Sequence, residues 1–313
     1  MTNGSRLDEA ARAGWLYYVA GNTQDQIASK LGVSRQSAQR LVSLAVAEGL
    51  VKVRIDHPIA NCLEVARQLR ERFGLKFCEV VPTDPASEST TLGVAEATAV
   101  EIEKWLRKKE PVVMAIGTGR TLKAAIEALP RLECPQHKVV SLTGNIAPDG
   151  SAAYYNVVFN MADRITSRSF PMPLPVIASS AAERDTLHEQ PMIRATVELA
   201  AKADVTFVGI GDLGPEAPLY LDGFISRQEL SSLQEAGAVG EIVGWAFDSD
   251  GRLIEGITND RVTSAPIPDR ARSLVIAAAK GERKLPGAAA AIRGGLANGL
   301  ITDEATGAAL LGC

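Results

Sequence analysis

The sequence predicts an α/β protein in which a small N-terminal helix-turn-helix unit precedes a larger domain with a mostly parallel sheet. Two short amphipathic segments separated by a glycine lie within the first 50 residues. From about residue 77 onward, continuous apolar strands alternate with amphipathic helices, which is typical of a parallel sheet covered on both faces. Pro58 disfavours a helical conformation for the residue before it, so a domain boundary is expected there and the expected domains are 1–57 and 58–313.

The composition is that of a globular chain with enough length for a sizeable core. The 313 residues are 46% hydrophobic and 22% charged, as in ordinary globular proteins. No apolar run approaches the roughly 18 residues of a membrane span, and the N-terminus has no secretory segment, so we expect a cytoplasmic protein without a membrane partner. The four cysteines form no CxxC pair and there are three histidines, so no disulfide framework, metal site or cofactor is expected.

The net charge of −4 is unevenly distributed along the chain. Residues 1–60 contain 7 Lys and Arg against 5 Asp and Glu, whereas residues 61–313 contain 26 against 32. An acidic surface repels phosphate, so the N-terminal part is the candidate for contact with nucleic acid.

The helix-turn-helix is expected over residues 23–47, after a first helix at 7–20. Gly32 permits a sharp turn, and Ser34 can cap the second helix through its hydroxyl. Gly49 then ends that helix. The apolar residues that recur on one face of the two helices are Ile27, Ala28, Leu31, Ala38, Leu41, Val42 and Ala45.

The opposite face of the second helix carries polar and basic side chains. Its N-terminal position and a wing-like strand expected at 51–55 favour DNA binding over an ordinary helical hairpin with a solvated face. Arg35, Gln36 and Gln39 could reach base edges, and Arg40 could contact a base or a phosphate. The predicted DNA-binding residues are Ser34, Arg35, Gln36, Ser37, Gln39 and Arg40.

The remaining chain alternates predicted strands and helices. An amphipathic helix over 59–73 should bury the stripe Leu63, Ala66, Leu69 and Phe73. Strands are expected at 77–82, 112–117, 138–144, 175–179, 205–211, 273–279 and 299–303. Helices are expected at 92–109, 122–129, 152–167, 192–203, 226–237 and 287–296, with a last one ending at 311. A hairpin over 241–254 should turn at Asp250-Gly251.

The segment GTGRT follows a buried strand and opens a helix, where backbone N–H groups and the helix dipole attract an anion. Glycines let the backbone approach a ligand closely, and the arginine adds positive charge. An ordinary strand-to-helix turn explains the same residues equally well. The segment is neither a Walker loop nor a full dinucleotide fingerprint. Its residues are Gly117, Thr118, Gly119, Arg120 and Thr121.

Open α/β sheets bind ligands at the carboxyl ends of their strands. Other strand ends offer Thr143, Gly144 and Asp212, although a glycine turn alone is more often structural. Residues 248–251 resemble the opening of a calcium loop, but glycine at the sixth position and a carboxylate at the twelfth are missing, which favours a plain β-turn. Spacing alone makes Lys284 a surface cation. No nucleophile set emerges, so catalysis has little positive support.

Several of these motifs occur together in the SorC/DeoR-type sugar-binding transcriptional regulators, which the chain resembles over essentially its full length. The resemblance rests on LYYVAGNTQDQIASKLGVSRQSAQRL (16–41), GTGRT (117–121), GIGD (209–212), DGFIS (222–226), GAVGEIVGWAFDSDG (237–251), and K-x9-GGL-x4-ITDE from Lys284. It implies an effector domain similar to ribose-phosphate isomerases and glucosamine-phosphate deaminases. Such a domain senses a sugar, sugar phosphate or polyol in a protein that is typically a tetramer.

The resemblance also implies roles for individual residues. Gly117 to Thr121 would hold a phosphate or its equivalent, Glu241 and Lys284 would line the pocket, and Thr143, Gly144 and Asp212 would lie at its rim. The strand end at Thr143 carries no lysine, so a reversible noncovalent effector is expected rather than a Schiff base. Because Arg120 suits an anion but could also cover an uncharged polyol, the phosphorylation state of the effector stays open.

These observations predict a non-enzymatic transcriptional regulator of a carbohydrate or polyol catabolic operon. Its partners would be double-stranded operator DNA, a sugar-type effector and copies of itself, assembled as a homotetramer that is a dimer of dimers. One alternative is a sugar-phosphate isomerase-like or deaminase-like enzyme with an appended helix-turn-helix. Another is a C-terminal part that serves only as an oligomerisation scaffold.

Overall fold

A computed structural model of the chain describes residues 3–51, 59–87, 89–147, 149–152 and 155–313. The chain divides into two compact units, Met1–His57 and Pro58–Cys313. Apart from Val51, the strand expected at 51–55 and the break at 56–58 lie outside the described residues. Within the described residues, no helix is both long and apolar enough to cross a bilayer.

The described residues of the N-terminal unit, 3–51, form the helices α1 (Asn3–Tyr18), α2 (Gln24–Leu31) and α3 (Arg35–Ala47). The Thr23 hydroxyl accepts a hydrogen bond from the Gln26 backbone N–H, and the Gln26 side-chain Oε1 accepts one from the Thr23 backbone N–H. Gly32 adopts a left-handed φ of 65° that ends α2. Ala13, Ile27, Ala28, Ala38 and Val42 form the small core. The predicted pair of helices and its tight turn therefore follow from local capping and one apolar stripe.

The larger unit contains the remaining helices and strands. Its strands are β1 (Phe77–Val81), β2 (Val113–Ile116), β3 (Lys138–Ile146), β4 (Arg168–Pro175), β5 (Val205–Gly209), β6 (Gly240–Ile242), β7 (Trp245–Phe247), β8 (Leu274–Ala278) and β9 (Gly299–Asp303). Its α-helices are α4 (Ala60–Phe73), α5 (Val94–Leu106), α6 (Arg120–Ala128), α7 (Val157–Ala162), α8 (Ala181–His188), α9 (Pro191–Ala200), α10 (Pro218–Leu221), α11 (Arg227–Glu235), α12 (Leu285–Arg293) and α13 (Glu304–Gly312).

Seven strands form one sheet in the order β1-β9-β8-β5-β2-β3-β4, and every pairing within it is parallel. Along β2, Ala115 packs into one buried apolar cluster, whereas Met114 and Ile116 pack into another. The sheet is therefore covered on both faces, and the predicted α/β class is confirmed. A third, smaller cluster contains residues of α10, α11 and β7.

The strand expected at 175–179 was misplaced. The strand is Arg168–Pro175, and beyond it only Ile177 makes an isolated bridge to Val262. Its sequence RSFPMPLP has three prolines, which argue against a central strand because proline donates no ladder hydrogen bond. β4 lies at the edge of the sheet, where that donor is not needed.

The predicted hairpin turns at a different place. β6 and β7 pair antiparallel with Ile242 opposite Trp245, so the turn lies at Val243-Gly244. Both turn residues have positive φ, 47° and 91°, as a tight hairpin requires. The expected turn at Asp250-Gly251 is a second reversal, in which Gly251 N–H donates to the Asp248 carbonyl.

Two helix predictions also need correction. Leu63 is 56% exposed, and α4 instead buries Cys62, Val65, Ala66 and Leu69. The helix expected over 152–167 is confined to α7. The short helices α8 and α10 were not predicted, because neither has a long apolar period.

Asp303 joins β9 to α13 and should be important for stability. It is 2% exposed; its Oδ1 accepts from Thr306 N–H at 3.1 Å, and its Oδ2 accepts from the Thr83 hydroxyl at 2.8 Å. The same Oδ2 lies 3.8 Å from Nζ of buried Lys280. We expect Asp303→Ala to lower the free energy of unfolding by about 3–5 kcal/mol, because a buried ammonium loses its counter-charge.

Urea denaturation measures this loss. Ser180→Ala is the control, since it removes only the exposed cap bond from Glu183 N–H to the serine hydroxyl and should cost about 1 kcal/mol. A loss for Asp303→Ala no larger than that of the control would mean that the buried pair with Lys280 contributes nothing.

Candidate functional site

One pocket opens at the carboxyl ends of three adjacent strands, β5, β2 and β3, and has a volume of about 110 Å³. This is where an open parallel sheet is expected to bind a ligand. Eight of the ten predicted effector residues line it: Thr118, Gly119, Arg120, Thr121, Thr143, Gly144, Glu241 and Lys284.

The other two predicted residues lie beside the pocket. Gly117 is buried under it, where an added Cβ would lie 2.9 Å from Val243 Cγ1. Asp212 is 6% exposed, and its Oδ2 accepts from the Arg283 guanidinium at 3.3 Å. Both residues therefore support the walls of the pocket instead of facing its space.

The loop between β2 and α6 contributes donors to the pocket. Gly117 N–H is held by the Phe207 carbonyl at 2.8 Å, and Gly119 has a φ of 116° that suits glycine. Helix α6 then begins at Arg120, and the first N–H groups of a helix have no partner within it. The Thr118 hydroxyl donates to the Tyr155 carbonyl at 2.7 Å, so that hydroxyl can only accept from a ligand.

Glu241 is held in place by an unusual contact with Gly211. The two backbones exchange hydrogen bonds of 3.0 Å, and Glu241 Oε2 accepts from Gly244 N–H at 2.7 Å. A Cβ added at Gly211 would lie 1.9 Å from Glu241 Oε1, so only glycine lets the carboxylate lie there. Although the residue as a whole is half-buried, enclosure of its carboxyl raises the Glu241 pKa, against the opposing effects of the Gly244 N–H and Lys284.

Lys284 contributes a basic side chain to the lining of the pocket. It closes a 3₁₀ turn, Glu282–Lys284, directly before α12. Burial is the main cause that lowers the Lys284 pKa. The nearby positive charge of Arg120 lowers this pKa further, while the Glu241 carboxylate raises it. The pocket thus contains a cationic donor and a carboxylate acceptor that influence one another.

Thr143 and Gly144 lie within β3. Thr143 is 5% exposed, and its Oγ1 accepts from the Ser264 hydroxyl at 3.1 Å. A Cβ at Gly144 would lie 2.5 Å from the carbonyl oxygens of Leu174 and Pro175. The glycine is therefore needed for the close approach of β4, whatever its contact with a ligand.

One pocket wall was missed by the sequence reasoning. It comes from the segment around α10, which contributes Pro218, Leu219, Asp222 and Phe224. Burial raises the Asp222 pKa, and the positive charge of Arg120 acts in the opposite direction. The motif DGFIS at 222–226 was the available signal, but none of its residues was assigned a role.

The predicted DNA-binding residues lie at the N-terminal end of α3, where Ser34 is the N-cap. Arg35, Gln36, Gln39 and Arg40 are exposed. Ser34 caps the helix, because its hydroxyl accepts from Ser37 N–H at 3.2 Å and lies 2.9 Å from the Ser37 hydroxyl. These two serines are therefore engaged with each other, whereas the four longer side chains face solvent. Among the residues that the structure describes, no group of three His, Cys, Asp or Glu could hold a metal ion.

Comparisons with known proteins cover nearly all of the chain. Residues 57–312 match the family model "Putative sugar-binding domain". The erythritol catabolism regulatory protein EryD of Brucella abortus is 33% identical over 303 residues, which are 97% of this chain and 96% of that protein. The transcriptional regulator LsrR of Klebsiella pneumoniae is 30% identical over 309 residues, covering 96% and 92%. The solved full-length sorbitol operon regulator SorC of Klebsiella pneumoniae shares the fold, with a TM-score of 0.72, 23% identity and coverage of 97% and 99%.

Proposed function

Because this chain belongs to the family of transcriptional regulators that carry this sugar-binding domain, we propose that effector binding in its pocket controls operator binding by its N-terminal helices. The protein is a transcriptional regulator, and its relatives include a regulator of erythritol catabolism. We assign it to an operon for carbohydrate or polyol catabolism. The observation that carries the proposal is the convergence of the 117–121 loop, Glu241 and Lys284 on one pocket.

In this proposal residues 1–57 bind DNA, and residues 58–313 bind the effector and form the oligomer. The polar face of α3 enters the major groove, where Arg35, Gln36 and Gln39 reach base edges and Arg40 contacts a base or a phosphate. The exposure of all four side chains supports this assignment. Ser34 and Ser37 lie at the start of the helix, where they contact the DNA backbone.

We further propose that the working form is a cytoplasmic homotetramer, a dimer of dimers. Effector binding changes how subunits pack, and so changes the spacing of paired recognition helices and their fit to half-sites. The effector binds reversibly and without turnover. The naming of both curated relatives as regulators supports a sensing role rather than a catalytic one.

A DNA-release titration tests the proposal. The full chain is bound to a labelled fragment of its own promoter, and sugars, polyols and their phosphates are added in turn. We expect one of them to change operator affinity by about 5- to 150-fold, the usual range of coupling between two sites, and to raise the melting temperature.

Two outcomes would contradict the proposal. If no compound of these classes altered either operator affinity or melting temperature, the effector role of the pocket would be wrong. Turnover of ribose 5-phosphate or glucosamine 6-phosphate by the purified protein would support an enzyme instead.

A further inference from the structure

The charges in the pocket bear on what kind of effector it selects. Four of the lining residues are ionisable: Arg120 and Lys284 are basic, and Asp222 and Glu241 are acidic. The pocket therefore has equal numbers of basic and acidic side chains. Nearby, the Arg283 guanidinium pairs with Asp212 at 3.3 Å and with Glu216 at 2.6 Å.

Asp222 is the carboxylate that balances Arg120. It is the residue that ends α10, and it lies on the wall formed by that segment, whereas Arg120 begins α6. The positive charge of Arg120 opposes the upward shift of the Asp222 pKa. Among the described residues, no carboxylate oxygen lies within 4.0 Å of the Arg120 guanidinium. Arg120 and Asp222 therefore line the same pocket without forming an ion pair with each other.

A ligand between these groups must both donate and accept hydrogen bonds. An ionised carboxylate only accepts, and a guanidinium only donates. A hydroxyl can accept from Arg120 and donate to Asp222 at once, and another can do the same between Lys284 and Glu241. A phosphate dianion has acceptor oxygens only, and it would share the pocket with two acidic side chains, Asp222 and Glu241.

The volume of the pocket suits a small ligand. One water needs roughly 10–15 Å³ on the same measure, so 110 Å³ has room for roughly seven to eleven waters. Polyols of three to five carbons have about six to ten non-hydrogen atoms, each carbon bearing one oxygen. Apolar side chains, among them Leu219, Phe224 and Val243, can pack against the C–H groups of such a chain.

We propose that Asp222 is a specificity-determining residue, which makes the pocket select an uncharged polyol of three to five carbons over its phosphorylated form. The inference rests on the proposed function, since it takes this pocket as the effector site. In this inference the Arg120 guanidinium donates a hydrogen bond to a hydroxyl of the ligand, instead of binding a phosphate group.

Isothermal titration calorimetry on the full chain tests the selectivity. The probes are glycerol, erythritol and xylitol, each compared with its terminal monophosphate. We expect the wild-type chain to bind at least one free polyol about 10-fold or more tightly than the matching monophosphate. Asp222→Asn keeps the shape of the side chain and removes its charge. It should weaken polyol binding by about 10-fold, because a hydrogen bond to a charged group is lost, and should tighten monophosphate binding.

Asp250→Asn is the matched control. Asp250 is an exposed carboxylate paired with the Arg252 side chain, and it does not line the pocket, so its replacement should change neither affinity. A wild-type preference for the monophosphate, or an unchanged preference in Asp222→Asn, would overturn the inference and leave the effector site intact. If neither class of probe bound the wild type nor released DNA, the effector site itself would be contradicted, and the selectivity with it.

Discussion

The double substitution Arg35→Ala and Gln39→Ala should lower operator affinity by about two orders of magnitude while leaving effector binding unchanged. The two residues are four apart in α3, so they lie one turn apart on the exposed surface of the helix, beside the buried positions Ala38 and Val42. Each good base contact contributes about 1–3 kcal/mol of recognition, and two losses account for the expected effect.

The folded state should tolerate this change. Both side chains are exposed. The ion pair between Arg35 and Asp25, at 3.5 Å, joins side chains that are 70% and 67% exposed. Such a pair contributes little to stability, so the melting temperature should stay within the error of the wild type.

Fluorescence anisotropy with operator DNA, in the presence of excess nonspecific DNA, measures the loss. Arg12→Ala is the control. Arg12 is an exposed arginine of α1, so this substitution removes the same charge from the same unit. Its effect should be small and independent of the DNA sequence. Wild-type operator affinity in the double variant would show that α3 does not read the operator.

The N-terminal helices were predictable because their signals are local. Thr23, Ser34 and Gly32 each act within a few residues of themselves, and the structure shows the two caps and the left-handed turn that they suggest. The strand ends of the sheet were predictable for a similar reason. Long apolar strands locate the carboxyl edge, and polar residues that follow them must gather there.

The elements that were missed depend on distant contacts. The prolines of β4 are tolerated only because that strand lies at the sheet edge, which its own sequence does not reveal. A positive φ at Val243 is rare for a β-branched residue, so the β6–β7 turn had no local signal. Asp222 reaches the pocket because α10 packs with α11 and β7 in a separate cluster. A helix of four residues has no period from which to predict this.

Replacing Lys284 with methionine should abolish the effector response and spare operator binding. Methionine keeps a similar unbranched stem but has no N–H donor. Lys284 is half-buried in the pocket, and loss of a hydrogen bond from a charged donor should weaken effector binding by about 10- to 100-fold. DNA release should then fail over the concentration range in which the wild type responds.

The neighbouring variant Arg283→Met is the control for this experiment. Its guanidinium bonds Glu216 at 2.6 Å and Asp212 at 3.3 Å, and Arg283 does not line the pocket. It removes the same charge one residue away, so it should retain most of the response. An unchanged release titration for Lys284→Met would remove Lys284 from the effector site.

The pH dependence of effector binding gives this prediction a second readout. Burial and the charge of Arg120 lower the Lys284 pKa, while Glu241 and Asp212 oppose that shift. The ammonium donor is present below the lowered pKa and is lost as the pH rises through it. Wild-type affinity for the effector should therefore fall as the pH rises through that lowered pKa. In Lys284→Met the donor is already absent, so this decline should disappear, and its persistence would assign the titration to another group.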